Sequence, residues 1–286
     1  MLFNQLLADG LVSGCAIGMV AISFAFVYST TRVFHVAHAG IYTLGAYIAW
    51  FAAVKGVPFG LATLLSIVGC AAVGALIQHQ LYDRLERWGA TPLVLLISSL
   101  GLLAILTNAI AAVFSPDILR FPNEWRIRTV GLGGINLSYA QLIVAASGIL
   151  ILGGLLLFTR GTPLGKRIRA VASNPYLAEI TRLKPREVYV YVMAIASGIV
   201  AVAGTLVSLD QALQPYTGIL VLLTATIAVI AGGIGSLTGA FALSIMISVL
   251  QNVSLVVMSG KWAIAATFGV FIAFMIVRPE GLFRKR

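Results

Sequence analysis

The sequence YAQLIVAASGILILGGLLLF at residues 139–158, followed directly by TRGTPLGKRIRAVASNPYLAEITRLKPRE at residues 159–187, decides the fold class. The first part is apolar over 20 residues, which is long enough for a helix to cross about 30 Å of hydrocarbon. The second part gathers nine charged residues and three prolines. This order is typical of a helical membrane protein, because a helix satisfies its own backbone hydrogen bonds inside a bilayer.

The same alternation continues through all 286 residues, of which 60% are hydrophobic and 10% are charged. A mean hydropathy of +1.01 is far above that of a soluble domain. We predict an all-α, polytopic membrane bundle of eight or nine segments that forms one transmembrane domain over residues 1–286. The predicted segments are Leu11–Tyr28, Val36–Val54, Phe59–Gln78, Pro92–Phe114, Tyr139–Phe158, Val188–Leu209, Ile219–Ile234, Leu237–Met258 and Trp262–Val277. The first is expected to be a span and not a removable signal peptide, since no basic region precedes it.

The charges predict the orientation of the spans. The 19 basic and 9 acidic residues give a net charge of +10, and the basic residues lie in short connections, which favours membrane orientation over nucleic-acid binding. Connections rich in Lys and Arg face the cytoplasm, and the strongest are residues 160–186 and the tail from residue 278. The mixed-charge segment Ser115–Ser138 then lies outside. We therefore expect the N-terminus outside and the C-terminus in the cytoplasm, with Trp50, Trp125 and Trp262 as interfacial anchors.

Ionisable side chains are nearly absent from the spans, where they would be costly and functional. His38 and His79 come closest to a bilayer interior, and Cys15 and Cys70 are expected to be neither a disulfide nor a metal site. Because a proton-coupled pump needs better-placed carboxylates, we expect transport energy to come from outside this chain. The sequence contains no HExxH or GxSxG motif, and the glycines of residues 232–236 lack the Lys of a phosphate loop, so no catalysis is expected. A sodium-coupled transporter, which can bind Na⁺ through backbone carbonyls, and a homo-oligomeric channel remain open alternatives.

The charged connection predicts two short helices. Pro163 begins one that runs through Ala172, and Asn174 followed by Pro175 gives an N-cap and first turn for a second. One face of the second helix follows i, i+3, i+4 spacing and consists of Leu177, Ile180 and Thr181. A solvated loop that only fixes topology is the simpler interpretation. A capped helix with an apolar face and no core of its own instead indicates docking into a groove on a soluble partner.

This connection resembles the coupling segment in permease subunits of branched-chain amino acid ABC importers, through GKRIRAVASNP at residues 165–175 and Ala178. Three further motifs resemble the same family in the same order. They are Ala37 and His38 with Tyr42, Leu44, Gly45, Ala46 and Tyr47; GGIGS at residues 232–236 with Gly239 and Ala240; and RPEGL at residues 278–282. The chain departs from the family pattern at His35, Ala39, Gly40, Thr238 and Arg182, where Asn, Gly, an acidic residue, Pro and Gly are respectively common.

The resemblance implies a non-catalytic half-permease in a bacterial-type inner membrane. It would pair with a second homologous permease, bind two cytosolic ATP-binding subunits, and receive a branched-chain or related amino acid, a similar amide or a small organic acid from an extracytoplasmic binding protein. The chain would contact lipid and no nucleic acid, and ATP and Mg²⁺ would bind the partner subunits, leaving this chain without a cofactor. The residues implied in ATPase coupling are Gly165, Arg169, Ala170, Asn174, Pro175, Leu177 and Ala178. The residues implied in the translocation pathway are His38, Tyr42, Gly45, Gly232, Gly233, Gly235 and Ser236.

Several of these candidates have a second interpretation. His38 either lines the pathway or is a hydrogen-bonded packing residue, and Gly45 either contacts solute or lets two helices approach. Residues 232–239 form either a half-helix junction or a cytoplasmic turn, and the predicted orientation favours the turn. Asp210, with the Gln211, Gln214 and Tyr216 that follow it, is a solvated outer loop or a contact for a delivery protein. Asn108 and Asn252 are expected to form interhelical hydrogen bonds.

Overall fold

A computed structural model describes residues 2–122, 128–132, 134–277 and 281. Within these ranges the α-helices are α1 (Leu2–Thr31), α2 (His38–Val54), α3 (Phe59–Ile77), α4 (Asp83–Arg87), α5 (Pro92–Phe114), α6 (Tyr139–Gly161), α7 (Pro163–Ser173), α8 (Pro175–Ile180), α9 (Pro185–Asp210), α10 (Thr217–Gly232), α11 (Leu237–Ser254) and α12 (Gly260–Val277). A π-helical turn at Gln78–Tyr82 joins α3 to α4. Strands β1 (Thr129–Leu132) and β2 (Ile135–Ser138) form an antiparallel hairpin in which Thr129 lies opposite Ser138.

The architecture is that of a multi-pass helical membrane protein. Each of the nine predicted segments overlaps one helix, and six helices are long and apolar enough to cross a membrane: α1, the continuous helix Phe59–Arg87, α5, α6, α9 and α11. Three further apolar helices, α2, α10 and α12, are shorter. The six long helices support the predicted fold class, whereas the number of complete crossings depends on the three short ones.

The hairpin was missed by the all-α prediction. Its strand β2 is held by the first turns of α1, since the Asn136 N–H donates to Gln5 Oε1 at 2.8 Å and Gln5 Nε2 donates to the Asn136 carbonyl at 2.9 Å. Within the described residues α1 extends from Leu2, well before the predicted start at Leu11, and its first turns are held in place: Asp9 accepts a hydrogen bond of 3.2 Å from Gln5 and one of 3.2 Å from Gln141. We call this end of the bundle the hairpin end.

Helices α1 and α9 form the centre of the bundle. Buried residues make up 78% of the most apolar stretch of α1 and 72% of that of α9, against 22% for α6. α1 packs against α11, α9, α6 and α10, and α9 packs against α2, α3 and α1. The contacts are made by small residues, such as Gly14 of α1 against Ile245 and Gly45 of α2 against Ala201. Close backbone approach therefore organises the core, as expected where lipid removes the hydrophobic drive between helices.

The short helices α2 and α10 both begin inside the bundle. His38, the first residue of α2, lies against Ser23 of α1, which is about 12 Å along the helix axis from its end at Thr31. Gly218, in the first turn of α10, is packed so closely on the Ala39 carbonyl oxygen and Thr43 of α2 that a side chain there would overlap them. The beginnings of α2 and α10 therefore meet among the other helices.

Candidate coupling surface and solute cavity

Helix α7 is anchored by its apolar face. Thr162 Oγ1 caps it by accepting from the Gly165 N–H at 3.0 Å, and Gly165, Ile168 and Val171 are buried against neighbouring helices. A Cβ at Gly165 would overlap the Phe158 carbonyl oxygen, so the residue is needed for packing on the end of α6. The other face, which includes Arg169 and Ala170, is exposed. Among the predicted coupling residues of α7, Gly165 therefore positions the helix and the others are available to a partner.

Helix α8 begins as predicted and buries a face that the sequence did not indicate. Asn174 Oδ1 accepts from the Leu177 N–H at 3.1 Å, and Pro175 occupies the first helical position. Leu177 is 57% exposed and Ile180 is 64% exposed, as expected for an apolar docking face. Ala178 is buried where α8 meets α9, so a large residue there would displace the helix before it tested docking.

The end of α8 explains one departure from the family pattern. The Leu183 N–H donates to the Ala178 carbonyl at 3.1 Å and the Arg182 N–H donates to the Glu179 carbonyl at 2.9 Å, which together form a Schellman motif. Arg182 has a φ of +64°, in the left-handed region that normally takes glycine. The same motif at the end of α4 has Gly89 at this position, with a φ of +74°. Arg182 therefore holds the junction to α9 at a cost of about 1 kcal/mol.

The segment that carries α8 is strongly basic. All seven basic residues of the segment are exposed: Arg160, Lys166, Arg167, Arg169, Arg182, Lys184 and Arg186. The hydrogen bond of 2.7 Å from Lys184 to Glu187 raises the pKa of the Lys184 ammonium, so this group stays charged. We call the exposed Tyr176, Leu177 and Ile180, together with Lys166, Arg167 and Arg169, the docking surface. Its chemistry suits an apolar groove with an acidic edge.

A small, half-open cavity lies at the opposite end of α9, between α2, α9 and the start of α10. It is lined by Tyr42, Thr43, Ala46, Tyr47, Gly204, Val207, Ser208, Gln211, Ala212, Leu213, Gln214 and Thr217. None of these described lining residues is charged. Tyr42 is the one predicted pathway residue among these described lining residues.

The polar groups of this cavity are few. Two of its hydroxyl groups donate to carbonyl oxygens one turn earlier in their own helices. Thr43 donates to the Ala39 carbonyl at 3.2 Å, and Ser208 donates to the Thr205 carbonyl at 2.7 Å. The Tyr47 hydroxyl is buried and has no hydrogen-bond partner within the described residues. Thr217 places the start of α10, the positive end of a helix dipole, at the cavity wall. The lining of the cavity is therefore uncharged and mostly apolar, with a small number of hydroxyl and amide groups.

The other pathway candidates lie elsewhere. His38 is fully buried, with its Nε2 2.8 Å from Ser23 Oγ, and Gly45 packs on Ala201. Residues 233–236 form a tight turn between α10 and α11, in which the Ser236 N–H donates to the Gly233 carbonyl at 3.0 Å and Ser236 Oγ caps α11. The turn interpretation of the glycine cluster is therefore the one that the structure supports. The cluster does not meet the cavity.

Most residues that line the cavity are not predicted by the sequence to do so. Gln211 and Gln214 were assigned to an outer loop, and Thr43, Ser208 and Thr217 were not singled out; hydroxyl residues in otherwise apolar helices were the available signal. Asp210 does not line the cavity and accepts from Ser138 Oγ at 3.3 Å, which attaches the hairpin to α9.

The remaining polar candidates gave mixed results. Asn108 accepts from Tyr216 at 3.3 Å, as expected of a contact between elements, whereas Asn252 donates to Ser248 at 2.9 Å within its own helix. Trp50 donates to the Arg120 carbonyl at 2.9 Å. Trp125, the basic tail and most of the RPEGL motif lie outside the described residues. The part of the chain that the structure describes contains no cluster of three or more His, Cys, Asp or Glu side chains that could hold a metal ion.

A bundle of apolar helices with an uncharged cavity at one end and a basic docking surface at the other defines the class of membrane transport subunits. The particular family follows from comparison with known proteins. The family described as the permease component of branched-chain amino acid transport systems matches residues 6–278, and this chain belongs to it. The resemblance drawn from the four motifs is thus confirmed.

Individual relatives match along nearly the whole chain. The high-affinity branched-chain amino acid transport system permease protein BraD of Pseudomonas aeruginosa is 26% identical, over 98% of this chain and 95% of its own length. LivH of Salmonella typhimurium is 24% identical with the same coverage, and a probable LivH of Methanocaldococcus jannaschii is 24% identical over 98% of this chain and 92% of its own. The fold is also that of PsaBC from Streptococcus pneumoniae, solved in complex with Fab, at a TM-score of 0.53 and 16% identity, covering 96% of this chain and 93% of that one.

Proposed function

We propose that this chain is a non-catalytic half-permease of an ATP-driven importer in a bacterial-type inner membrane. It pairs with a second homologous permease and docks two cytosolic ATP-binding subunits on the α7–α8 segment. ATP and Mg²⁺ bind those partners, and this chain carries no cofactor. The observation that carries the proposal is the docking surface, because an exposed apolar face on a capped, anchored helix has no role within the chain itself.

The distribution of charge supports an orientation with the docking surface in the cytoplasm. Seven exposed basic residues precede and follow α8 in the sequence, and basic connections stay on the cytoplasmic side. The N-terminus and the hairpin end then lie outside and the C-terminus inside. In this orientation an extracytoplasmic binding protein delivers solute at the hairpin end, where the cavity is.

The cavity supports an amino-acid-like cargo. Its uncharged lining and its apolar share fit a zwitterionic or neutral solute with an aliphatic group, such as a branched-chain or related amino acid or a similar amide. A small organic acid, which is an anion at neutral pH, would depend on the positive end of α10. The polar groups of such a solute would meet Tyr47, the glutamines and the beginning of α10. Weak, uncharged contacts also allow release, which a transport pathway requires.

Helix α9 connects the two sites. Its first turn follows α8 through the Arg182 junction, and Gly204, Val207 and Ser208 near its other end line the cavity. At 26 residues it is about 39 Å long and buried for most of its length. When ATP-driven closure of the partners moves α8, a rigid α9 transmits the displacement to the cavity wall and changes its access.

A matched pair of double variants tests docking. In Leu177→Ala/Ile180→Ala, exposed side chains are truncated on α8; in the control Leu150→Ala/Leu157→Ala, equally exposed side chains are truncated on α6. We expect the first pair to lower ATPase stimulation and uptake in vesicles about tenfold or more, since buried interface anchors dominate binding. The control keeps both activities.

Co-purification of the full chain provides the second measurement. We expect two ATP-binding subunits and a second permease to be recovered with the wild type, and the ATP-binding subunits to be lost from the α8 double variant. Recovery of copies of this chain alone would identify a homo-oligomeric channel and overturn the proposal. Uptake by the isolated chain that follows a sodium gradient and ignores ATP would overturn it as well.

A further inference from the structure

A fully buried polar cluster lies at the start of α2, away from both the cavity and the docking surface. It contains His35 from the α1–α2 connection, His38 from α2, and Tyr82 from the π-helical turn, together with Ser23 of α1 and Ser99 of α5, all essentially inaccessible to solvent. His35 Nδ1 lies 2.7 Å from the Tyr82 hydroxyl, and His38 Nε2 lies 2.8 Å from Ser23 Oγ. Five elements thus meet at one buried polar cluster.

We assign the direction of the bonds on the His38 side from the acceptors within reach. Ser23 Oγ lies 2.9 Å from the Val20 carbonyl, which can only accept, and we place its single proton in that bond. Ser23 therefore accepts from His38, and the proton of that bond belongs to His38 Nε2. In a neutral imidazole the second nitrogen is then a bare acceptor, so His38 Nδ1 requires a donor.

The His35 side runs in the same direction. The Ala37 N–H donates to Ser99 Oγ at 2.9 Å, beside the bond between Tyr82 and His35. Because a phenol is a stronger acid than a neutral imidazole N–H, Tyr82 donates to His35 Nδ1. His35 then carries its proton on Nε2, and that N–H requires an acceptor.

The two remaining ring atoms complement each other. His35 Nε2 and His38 Nδ1 are buried without a hydrogen-bond partner among the described residues, and the two ring centroids are 5.6 Å apart. One is a donor and the other an acceptor, and burying either unpaired costs free energy comparable to a lost hydrogen bond. A metal ion does not fit, because His35 Nε2 is protonated and no third ligand of the usual types lies near within the described residues.

We propose that His35 and His38 bind one water molecule that accepts from His35 Nε2–H and donates to His38 Nδ1. The water completes a one-directional chain from Tyr82 through His35 and His38 to Ser23 and the Val20 carbonyl. This chain ties α1 and the π-helical turn to the first turn of α2, on which the beginning of α10 rests. The bound water is thus a structural ligand at the point where the two recessed helices meet.

Nitrogen NMR of the full chain in lipid nanodiscs, with ¹⁵N-labelled histidine, tests this directly. The chain has three histidines, and His79→Gln removes the signal of the exposed one. We expect both remaining rings to be neutral and protonated on Nε2 only, with a cross-peak between a water proton and the His35 Nε2 proton. Protonation of His35 on Nδ1, or the lack of any water cross-peak to either ring, overturns the proposal.

Two tyrosine variants distinguish the chain from ordinary packing. Tyr82→Phe removes the donor to His35 Nδ1, so we expect the Nδ1-protonated form of His35 to become populated. Tyr47→Phe removes the hydroxyl of another fully buried tyrosine and should leave both histidine signals unchanged. If Tyr82→Phe does not fold, Ser23→Ala tests the other end by releasing His38 from its Nε2-protonated form. Equal spectra for wild type and a folded Tyr82→Phe or Ser23→Ala contradict the proposed chain.

Discussion

Helices α9 and α6 look alike as sequences and occupy opposite environments. They have 26 and 23 residues, and both are long and apolar enough to cross a membrane. Yet 72% of the most apolar stretch of α9 is buried, against 22% of that of α6. Hydropathy therefore reports that a helix belongs in a membrane, and not whether it faces protein or lipid.

The difference lies in the contacts that small residues make. Gly204 of α9 touches the Tyr42 carbonyl oxygen, and Thr205 shares the Gly45 carbonyl with Ser66, at 3.3 and 2.8 Å. The adjacent glycines of α6, Gly153 and Gly154, have nothing within reach of an added Cβ in the described structure. Glycines in a span thus mark close packing only where a partner helix is present.

The largest expected effect on the yield of folded protein comes from replacing one glycine in each helix with valine. Gly204→Val places a branched side chain against the backbone of α2, so we expect loss of most of the folded protein, equivalent to about 3 kcal/mol or more. Gly154→Val faces open space and should retain wild-type yield. Yield of monodisperse protein after detergent extraction, and its unfolding temperature, measure both. A stable Gly204→Val would show that α9 and α2 separate easily and that the close contact is not needed.

Truncating one leucine in each helix sharpens the comparison. Leu206 of α9 is 4% exposed and Leu157 of α6 is 75% exposed. Leu206→Ala should lower the free energy of unfolding by about 2 kcal/mol through the cavity that it leaves, whereas Leu157→Ala should change it by less than about 0.5 kcal/mol. Equilibrium unfolding in mixed micelles gives both values. Equal losses would mean that lipid contact stabilises as much as protein contact.

The smallest expected effect on the free energy of unfolding comes from the turn at Arg182, which joins α8 to α9. Arg182→Gly relieves a left-handed arginine, and we expect the free energy of unfolding to rise by about 0.5–1 kcal/mol. Arg169→Gly, at an exposed position inside α7, should lower it by a similar amount because glycine weakens a helix interior. Thermal unfolding of the two variants should move in opposite directions. A fall for both would refute the role assigned to the Schellman motif.

The α7–α8 segment shows where local sequence signals suffice to predict a helix. Asn174 and Pro175 start α8 at the predicted residue, because an N-cap side chain and a proline act on the backbone beside them. The same signals do not distinguish Ala178, which is buried, from Leu177, which is exposed. A six-residue helix presents every side to its surroundings, and the position of α9 decides which side is covered.

The sequence by itself determined the membrane class, the approximate positions of the nine apolar helices, the N-cap of α8 and the family. These depend on composition, on segment length and on motifs that are contiguous in the chain. Only the tertiary structure decided that α1 and α9 are central, that α2 and α10 start inside the bundle, that Tyr42 lines a cavity with residues of α9, and that His35 and His38 share a buried cluster with Tyr82. Each of these depends on helix pairs far apart in sequence, whose approach is set by the fit of small residues and buried hydrogen bonds and not by hydropathy.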